Sequence, residues 1–267
     1  MKLSNAPSMQ SSFARKILFT LVKAVTYPRS TVSWVFRGHL AKDPVFVDQM
    51  YWFTGTLPRV PLNKIFPGIE EAEVVLPRAF DRKGGTSISA DEACQLGAIA
   101  KHIKARNVLE IGTYDGNTAL ALAANIGAEG AVVTVDLPPE FTVENQESLA
   151  YAEGEFNLTP RNQLGRQYKG HNLAPRIRQV YGDSGKLNWG TLGGPFDLVF
   201  IDGCHTEAYV RSDSENAMKH LAPGGVILWH DYGMIPAVSS VVDRLAQENA
   251  TMKIYVAEGT RLAIGLT

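Results

Sequence analysis

Two short segments gather side chains that could do chemistry. Phe200-Ile201-Asp202-Gly203-Cys204-His205 and Trp229-His230-Asp231-Tyr232 each continue an apolar run. Between them they hold two carboxylates and two of the chain's 6 histidines. If both runs are neighbouring parallel strands, their C-terminal ends lie side by side, and Asp202, His205, His230 and Asp231 converge. Two carboxylates with water or substrate oxygens suit Mg²⁺. A metal would polarise a substrate hydroxyl and lower its pKa, and a nearby histidine can take a proton near neutral pH. The plainer alternative is that Asp202 and Asp231 cap turns and His230 is a satisfied core residue. Cys204 reads as a small buried residue, not a nucleophile.

A second group belongs to a turn. Val108-Leu109-Glu110-Ile111-Gly112-Thr113-Tyr114-Asp115-Gly116 joins an apolar strand to an Ala- and Leu-rich helix. Gly112 lets the backbone turn tightly and approach a ligand, and Gly116 removes a Cβ where strand and helix come close. The helix start behind them offers free N–H groups. A nicotinamide-binding turn reads G-x-G-x-x-G, but Tyr114 stands where the second glycine would be, so the pattern suits a ligand without phosphates. Glu110 could accept from an amino group. Asp136 ends the next strand, where a carboxylate can grip two ribose hydroxyls. Asp183, in Gly182-Asp183-Ser184, could accept from an adenine amino group, or could cap its turn.

The elements that must position these groups begin near residue 81. Ser89 and Glu92 form a capping box opening a helix to about Ile103. Strands are expected at Asn107–Ile111, Ala131–Val135, Arg176–Tyr181, Phe196–Ile201 and Val226–Trp229. Helices are expected at Asn117–Ile126, Ala208–Leu221 and Pro236–Gln247. A turn falls at Pro223-Gly224-Gly225, and a hairpin of Met252–Val256 with Arg261–Ile264 closes the pattern. Strands alternating with helices give an α/β, doubly wound, mostly parallel seven-stranded sheet with a C-terminal antiparallel hairpin. Residues 138–175 break the rhythm as a polar insertion, expected to be helical or a lid. Residues 1–80 form a mainly helical and irregular N-terminal extension. Its amphipathic helix, with Phe13, Ile17, Leu18, Leu21 and Val25 on one face, suggests docking on its own domain or a homodimer contact; a basic polar face leaves a membrane surface as the alternative.

Composition narrows the classes. The chain has 267 residues, is 45% hydrophobic and carries a net charge of −1. That balance argues against nucleic acid as a partner. Two cysteines make no disulfide framework and favour a cytoplasmic setting. No apolar run near the N-terminus reaches the ~20 residues a bilayer span needs, and no cleavage-site pattern marks a signal peptide.

Glu110-Ile111-Gly112-x-x-x-Gly116, Asp136, Gly182-Asp183-Ser184 and Leu221-Ala222-Pro223-Gly224-Gly225 before a strand resemble the class I S-adenosyl-methionine-dependent methyltransferases, over roughly residues 81–267. The resemblance implies S-adenosyl-methionine as cofactor. It implies binding by Glu110, Gly112, Thr113, Tyr114, Gly116, Asn117, Thr118, Asp136, Leu137, Asp183, Ser184 and Asp202. Ile201-Asp202-Gly203-x-His205 with His230-Asp231-Tyr232 further resembles the macrocin O-methyltransferase-like branch, which methylates sugar hydroxyls with a divalent metal. That likeness implies a small hydroxylated acceptor, Asp202 and Asp231 as ligands and His205 as general base. His230 completes the candidate ligand set and is a departure, because well-understood members carry an acid there and histidine is a poor Mg²⁺ ligand. The competing classes are a nicotinamide-dependent oxidoreductase, which the missing middle glycine disfavours, and a non-catalytic cofactor-binding domain.

Overall fold

The computed structural model describes Val25 and residues 54–79, 88–140 and 163–267. The expected amphipathic helix over residues 13–25 and the greater part of the insertion lie outside the described residues. After a two-residue strand β1 (Arg59–Val60) and a single helical turn α1 (Leu62–Ile65) come α2 (Ala90–His102), β2 (Asn107–Ile111), α3 (Asn117–Asn125), β3 (Ala131–Asp136) and β4 (Ile177–Tyr181). Then follow β5 (Phe196–Ile201), α4 (Glu207–His220), β6 (Leu221–Trp229), α5 (Pro236–Glu248), β7 (Lys253–Ala257) and β8 (Ala263–Leu266).

All eight strands form one sheet in the order β1-β7-β8-β6-β5-β2-β3-β4. The central pairs are parallel, and β8 runs antiparallel to both β6 and β7. Period-two side-chain alternation divides the core into two layers. Val108, Val132, Leu198, Phe200 and Leu228 face α2 and α3, where Leu96, Ile99, Leu120 and Leu122 meet them. Leu109, Ile111, Val133, Val199, Ile201 and Ile227 face α4 and α5, against Val210, Ala217, Val241, Val242 and Leu245. Burial on both faces is why β2 and β5 read as near-continuous apolar runs. Chain order reverses between β2 and β5, which opens a crevice beyond their C-terminal ends.

Two expectations need correction. Among the described residues the sheet has eight strands, not seven, because Arg59–Val60 pairs with Val256 and Ala257 on the far edge. Pro223-Gly224-Gly225 is not a turn preceding a strand. It is a break inside β6, where pairing jumps from Phe196↔Leu221 to Leu198↔Val226 and Gly224 takes φ 73°. Residues 54–79, expected as an irregular, partly buried lead-in, are held to later parts of the chain: Thr54 N donates to Gly233 O at 2.7 Å, and Thr56 donates twice to the Asp243 carboxylate. Tyr232 Oη donates to Asp243 and accepts from Leu57 N. Among the described residues, no helix is long and apolar enough to cross a membrane.

Candidate functional site

Backbone hydrogen bonds bring the strand ends to one level. Gly112 N donates to Val135 O at 2.9 Å, Asp202 N to Ile111 O at 2.8 Å, and His230 N to Ile201 O at 3.0 Å. Thus Asp136, Gly112, Asp202 and His230 line the mouth of the crevice. Gly112 sits at φ 98°, and a Cβ there would stand 2.1 Å from the Asp202 carbonyl oxygen. Only glycine permits the two strand ends to approach so closely. Gly116, at φ 81°, caps α3 in the left-handed region. Its missing Cβ makes room for Tyr168, 2.5 Å away, rather than for strand against helix as expected. The segment beginning at residue 163 therefore packs on the glycine turn. Gly165 N donates to Tyr114 O, Gln167 N to Asp115 O, and the Gln167 amide to the Asp115 carboxylate.

The turn is held from below by acids. Asp136 Oδ2 accepts from Thr113 N and Tyr114 N, both at 3.0 Å, and its Oδ1 accepts from Leu137 N at 2.8 Å. Glu110 is fully buried, its Oε2 accepts from the Thr134 hydroxyl, and its Oε1 has no partner. Burial, and then the charges of Asp202, Asp136 and Asp115, push its pKa well above the usual carboxylate range, against the Thr134 bond. At α3's first turn, the buried Asn117 Oδ1 also lacks a partner. Thr113 turns inward, with its hydroxyl on Thr134 and accepting from Gln179. Tyr114, Thr118, Asp136, Leu137, Asp183, Ser184 and Asp202 remain partly exposed around the crevice.

Asp183 does cap its own turn, its Oδ1 accepting from Gly185 N at 3.0 Å, with Lys186 Nζ 3.8 Å from Oδ2. The Ser184 hydroxyl donates to Asp213 on α4 at 3.1 Å. Asp213 is fully buried. Burial and the nearby Asp183 charge push its pKa up to about 7 despite the Ser184 bond.

The acids and histidines converge as expected, together with two residues the motifs did not reveal. His205 Nε2 lies 3.6 Å from Asp202 Oδ1 and 3.4 Å from Asp231 Oδ2. His230 Nδ1 donates to Asp202 Oδ1 at 3.0 Å and lies 3.3 Å from Asp231 Oδ1. Its Nε2 faces Glu92 Oε2 at 3.4 Å. Arg261 closes the cluster, donating through Nη1 to Asp231 Oδ1 and through Nη2 to Glu92 Oε2, each at 2.8 Å. Asp231 adopts φ 57°, a left-handed conformation uncommon for a non-glycine residue. Burial alone would lower the His230 pKa, but the Asp202 and Asp231 charges raise it well above normal. Burial alone would likewise raise Asp202 and Glu92. The cations beside them, His230 and His205 for the first and His230 and Arg261 for the second, hold both far below the carboxylate range.

Of the expected ligand set of Asp202, His230 and Asp231, the two carboxylates share a compact group of donor atoms and His230 stands outside it. His230 Nδ1 is bonded to Asp202 Oδ1, while its Nε2 lies 3.4 Å from Glu92 Oε2 without a hydrogen bond. The group whose donor atoms lie within 4.8 Å of one another is Asp202, His205 and Asp231. In that group, one oxygen of each carboxylate already accepts from a side chain, His230 for Asp202 and Arg261 for Asp231. Glu92 carried a signal only as a helix cap. Arg261 could have been found from the hairpin, since antiparallel β6–β8 pairing sets Arg261 O against Tyr232 N.

Comparison with known proteins gives a consistent neighbourhood. Residues 109–232 match the family model described as a methyltransferase domain. The catechol O-methyltransferase of Mycobacterium tuberculosis is 33% identical over 135 residues, 51% of this chain and 49% of that protein. Mouse catechol O-methyltransferase domain-containing protein 1 is 29% identical over 145 residues, 54% of this chain and 49% of that protein. The chain thus spans about half the length of the curated relatives it matches. The SAH-bound Podospora anserina methyltransferase PaMTH1 superposes with a TM-score of 0.53 at 15% identity, covering 99% of this chain and 98% of that one. TomG, an O-methyltransferase from Streptomyces achromogenes solved with SAM, gives 0.50 at 17% identity, covering 82% of this chain and 98% of that one. The fold is therefore the Rossmann-like methyltransferase fold, mostly parallel with antiparallel C-terminal strands.

Proposed function

We propose that this chain is an S-adenosyl-methionine-dependent O-methyltransferase acting on a hydroxyl of a small molecule, a sugar or a phenolic natural product, with His205 as general base. The observation that carries the reading is the juxtaposition at the sheet's reversal point: the Gly112 turn touches the backbone of Asp202, and Asp202 lies beside His205. The curated relatives' names support O-methylation, and the macrocin-like resemblance of the Asp202–His205 segment supports a sugar as one acceptor class. S-adenosyl-methionine supplies an activated methyl group when bound. The partnerless Glu110 Oε1 and Asn117 Oδ1, with the Cβ-free Gly112, fit a ligand bringing polar hydrogens to this turn. Asp136, at the end of β3, stands where a carboxylate accepts from ribose hydroxyls, and Asp183 and Ser184 stand at the next strand end for the adenine.

His205 would take the acceptor O–H proton, leaving the acceptor oxygen to receive the methyl group that bound S-adenosyl-methionine would supply. Asp202 and Asp231, both within 3.6 Å of His205 Nε2, stabilise the imidazolium that results. A divalent cation would be held by Asp202 and Asp231 and would lower the pKa of the acceptor hydroxyl. The N-terminal extension and the insertion would shape the acceptor pocket, which the Thr54–Gly233 bond supports by placing residue 54 beside the Asp231 loop. A homodimer joined through the extension and a cytoplasmic setting, with neither Cys94 nor Cys204 in a disulfide, belong to the same proposal.

Calorimetry with S-adenosyl-homocysteine, followed by methyl transfer to a panel of catechols and glycosides, tests the reading. Binding is expected, and His205→Ala should lower kcat by roughly 10²–10⁴-fold while leaving that binding intact. A chain that binds no S-adenosyl-homocysteine would overturn it.

A further inference from the structure

We infer that Tyr168, Gln179 and Thr113 are positioning residues for the amino-acid end of the cofactor, acting through Thr134 on the Glu110 carboxylate; the inference rests on the methyltransferase reading above. The four side chains form one line of hydrogen bonds. It runs from the last part of the insertion to the acid beneath the glycine turn.

The line begins at Tyr168, whose hydroxyl donates to Gln179 Oε1 at 2.6 Å. Gln179 Nε2 donates to Thr113 Oγ1 at 3.0 Å. The Thr113 and Thr134 hydroxyls lie 2.6 Å apart, and Thr134 donates to Glu110 Oε2. A hydroxyl has one hydrogen to give. Thr134 gives its hydrogen to Glu110, so Thr113 is the donor in the bond between the threonines. Thr113 then accepts from Gln179, which sets the amide nitrogen toward Thr113 and the amide oxygen toward Tyr168. The same nitrogen reaches the Thr134 and Val180 carbonyls at 3.3 and 3.2 Å, contacts that only a donor makes. Donation therefore runs one way and ends on one carboxylate oxygen.

Tyr168, Thr113, Thr134 and Glu110 are buried, and Gln179 is half-buried. In such a setting, hydrogen bonds in series polarise one another. Burial also raises the pKa of the Tyr168 phenol, so it stays a donor. Its ring fills the space that Cβ atoms on Gly116 and Gly165 would need. Backbone bonds tie the same segment to the turn, Gly165 N to Tyr114 O and Gln167 N to Asp115 O, each at 2.9 Å.

The end of the line points to its use. With Oε2 held by Thr134, Glu110 keeps Oε1 buried and without a partner, two residues before Gly112. An ammonium group brought to this turn supplies the hydrogens that Oε1 lacks. The line fixes the carboxylate that receives it. Recognition of the cofactor's amino group is thereby spread beyond the glycine turn, onto a tyrosine that the insertion delivers.

Calorimetry on the full chain with two ligands tests this. S-adenosyl-homocysteine carries the amino-acid end, whereas 5′-methylthioadenosine keeps the adenosine and the thioether and lacks that end; its affinity is read by displacement of the first ligand. Tyr168→Phe removes the first hydrogen of the line and keeps the ring. It should weaken S-adenosyl-homocysteine binding by about three- to tenfold, the effect of one buried hydrogen bond, and change 5′-methylthioadenosine binding by less than about twofold. Equal losses for both ligands overturn the inference, because a general loosening of the turn produces them. No loss for either ligand also overturns it. Gln179→Met breaks the line at its second link and serves the same comparison if Tyr168→Phe fails to fold. The double variant should bind S-adenosyl-homocysteine within about twofold of the weaker single variant, and losses that multiply would overturn the single line. A wild-type chain that binds no S-adenosyl-homocysteine overturns the underlying reading, whereas a binding wild type with unaffected variants overturns the inference alone.

Discussion

Replacing Asp213 with asparagine should make the protein more stable, and by an amount that grows with pH. Asp213 is fully exposed to water in the unfolded chain, where a carboxyl titrates at its ordinary value of 3.8, but in the fold it titrates at about 7. The native state therefore keeps its proton where the unfolded state loses it. For a group whose folded pKa is raised, an acid stabilises nothing below about pH 4 and costs increasingly above it. Stability relative to the asparagine variant falls by ~1.4 kcal/mol per pH step between about pH 4 and 7, then levels off at roughly 4 kcal/mol. Asparagine has the same shape, can accept from the Ser184 hydroxyl through its carbonyl oxygen, and carries no charge to bury. Urea unfolding of both proteins at pH 5, 6, 7 and 8 measures the difference directly. A stability difference that stays flat across this range would refute the reasoning, because it would mean that Asp213 ionises in the fold as easily as outside it.

Other perturbations follow from single contacts. Gly112→Ala places a methyl 2.1 Å from the Asp202 carbonyl at φ 98°, and should cost more than about 2 kcal/mol. It should also weaken S-adenosyl-homocysteine binding, read by calorimetry. Gly116→Ala drives a methyl to within 2.5 Å of Tyr168. The double variant with Tyr168→Ala should be less destabilised than the two single losses combined, by about 1 kcal/mol in denaturant melts; strict additivity would argue against the contact. Tyr232→Phe leaves Asp243 Oδ1 and Leu57 N short of a partner. A loss of about 1–3 kcal/mol is expected from the same melts.

Much of the scaffold was legible because its signals are local. The capping box at Ser89 and Glu92 opens α2 as expected, since both of its bonds are made within four residues. The apolar runs of β2 and β5 kept their expected ends because burial on both faces makes them near-continuously apolar, with Glu110 and Asp197 the exceptions. What the sequence concealed depends on partners far along the chain. Arg59–Val60 is too short to show a period and becomes a strand only because β7 offers an edge. The Pro-Gly-Gly run has turn composition, yet cross-strand pairing absorbs it as an irregularity in β6. Asp202, His205 and Asp231 were readable as a cluster from strand ends alone, while His230 looked like a ligand because motif spacing carries no side-chain orientation. Glu92 joined the centre through Arg261, 169 positions away, a separation no local pattern encodes.

The place of β8 has a consequence for timing. It follows every other strand in the chain, yet it sits in the interior of the sheet between β6 and β7. A chain emerging from the ribosome can assemble β2 to β6 early, but β6 then presents an open edge until residues 263–266 arrive to fill it. Such an edge is a template for pairing with other chains. The hairpin that closes it also delivers Arg261 to Glu92 and Asp231. One late event thus ends the interval of greatest aggregation risk and completes the charge centre, so a nascent chain halted before residue 261 would hold its acids without their guanidinium.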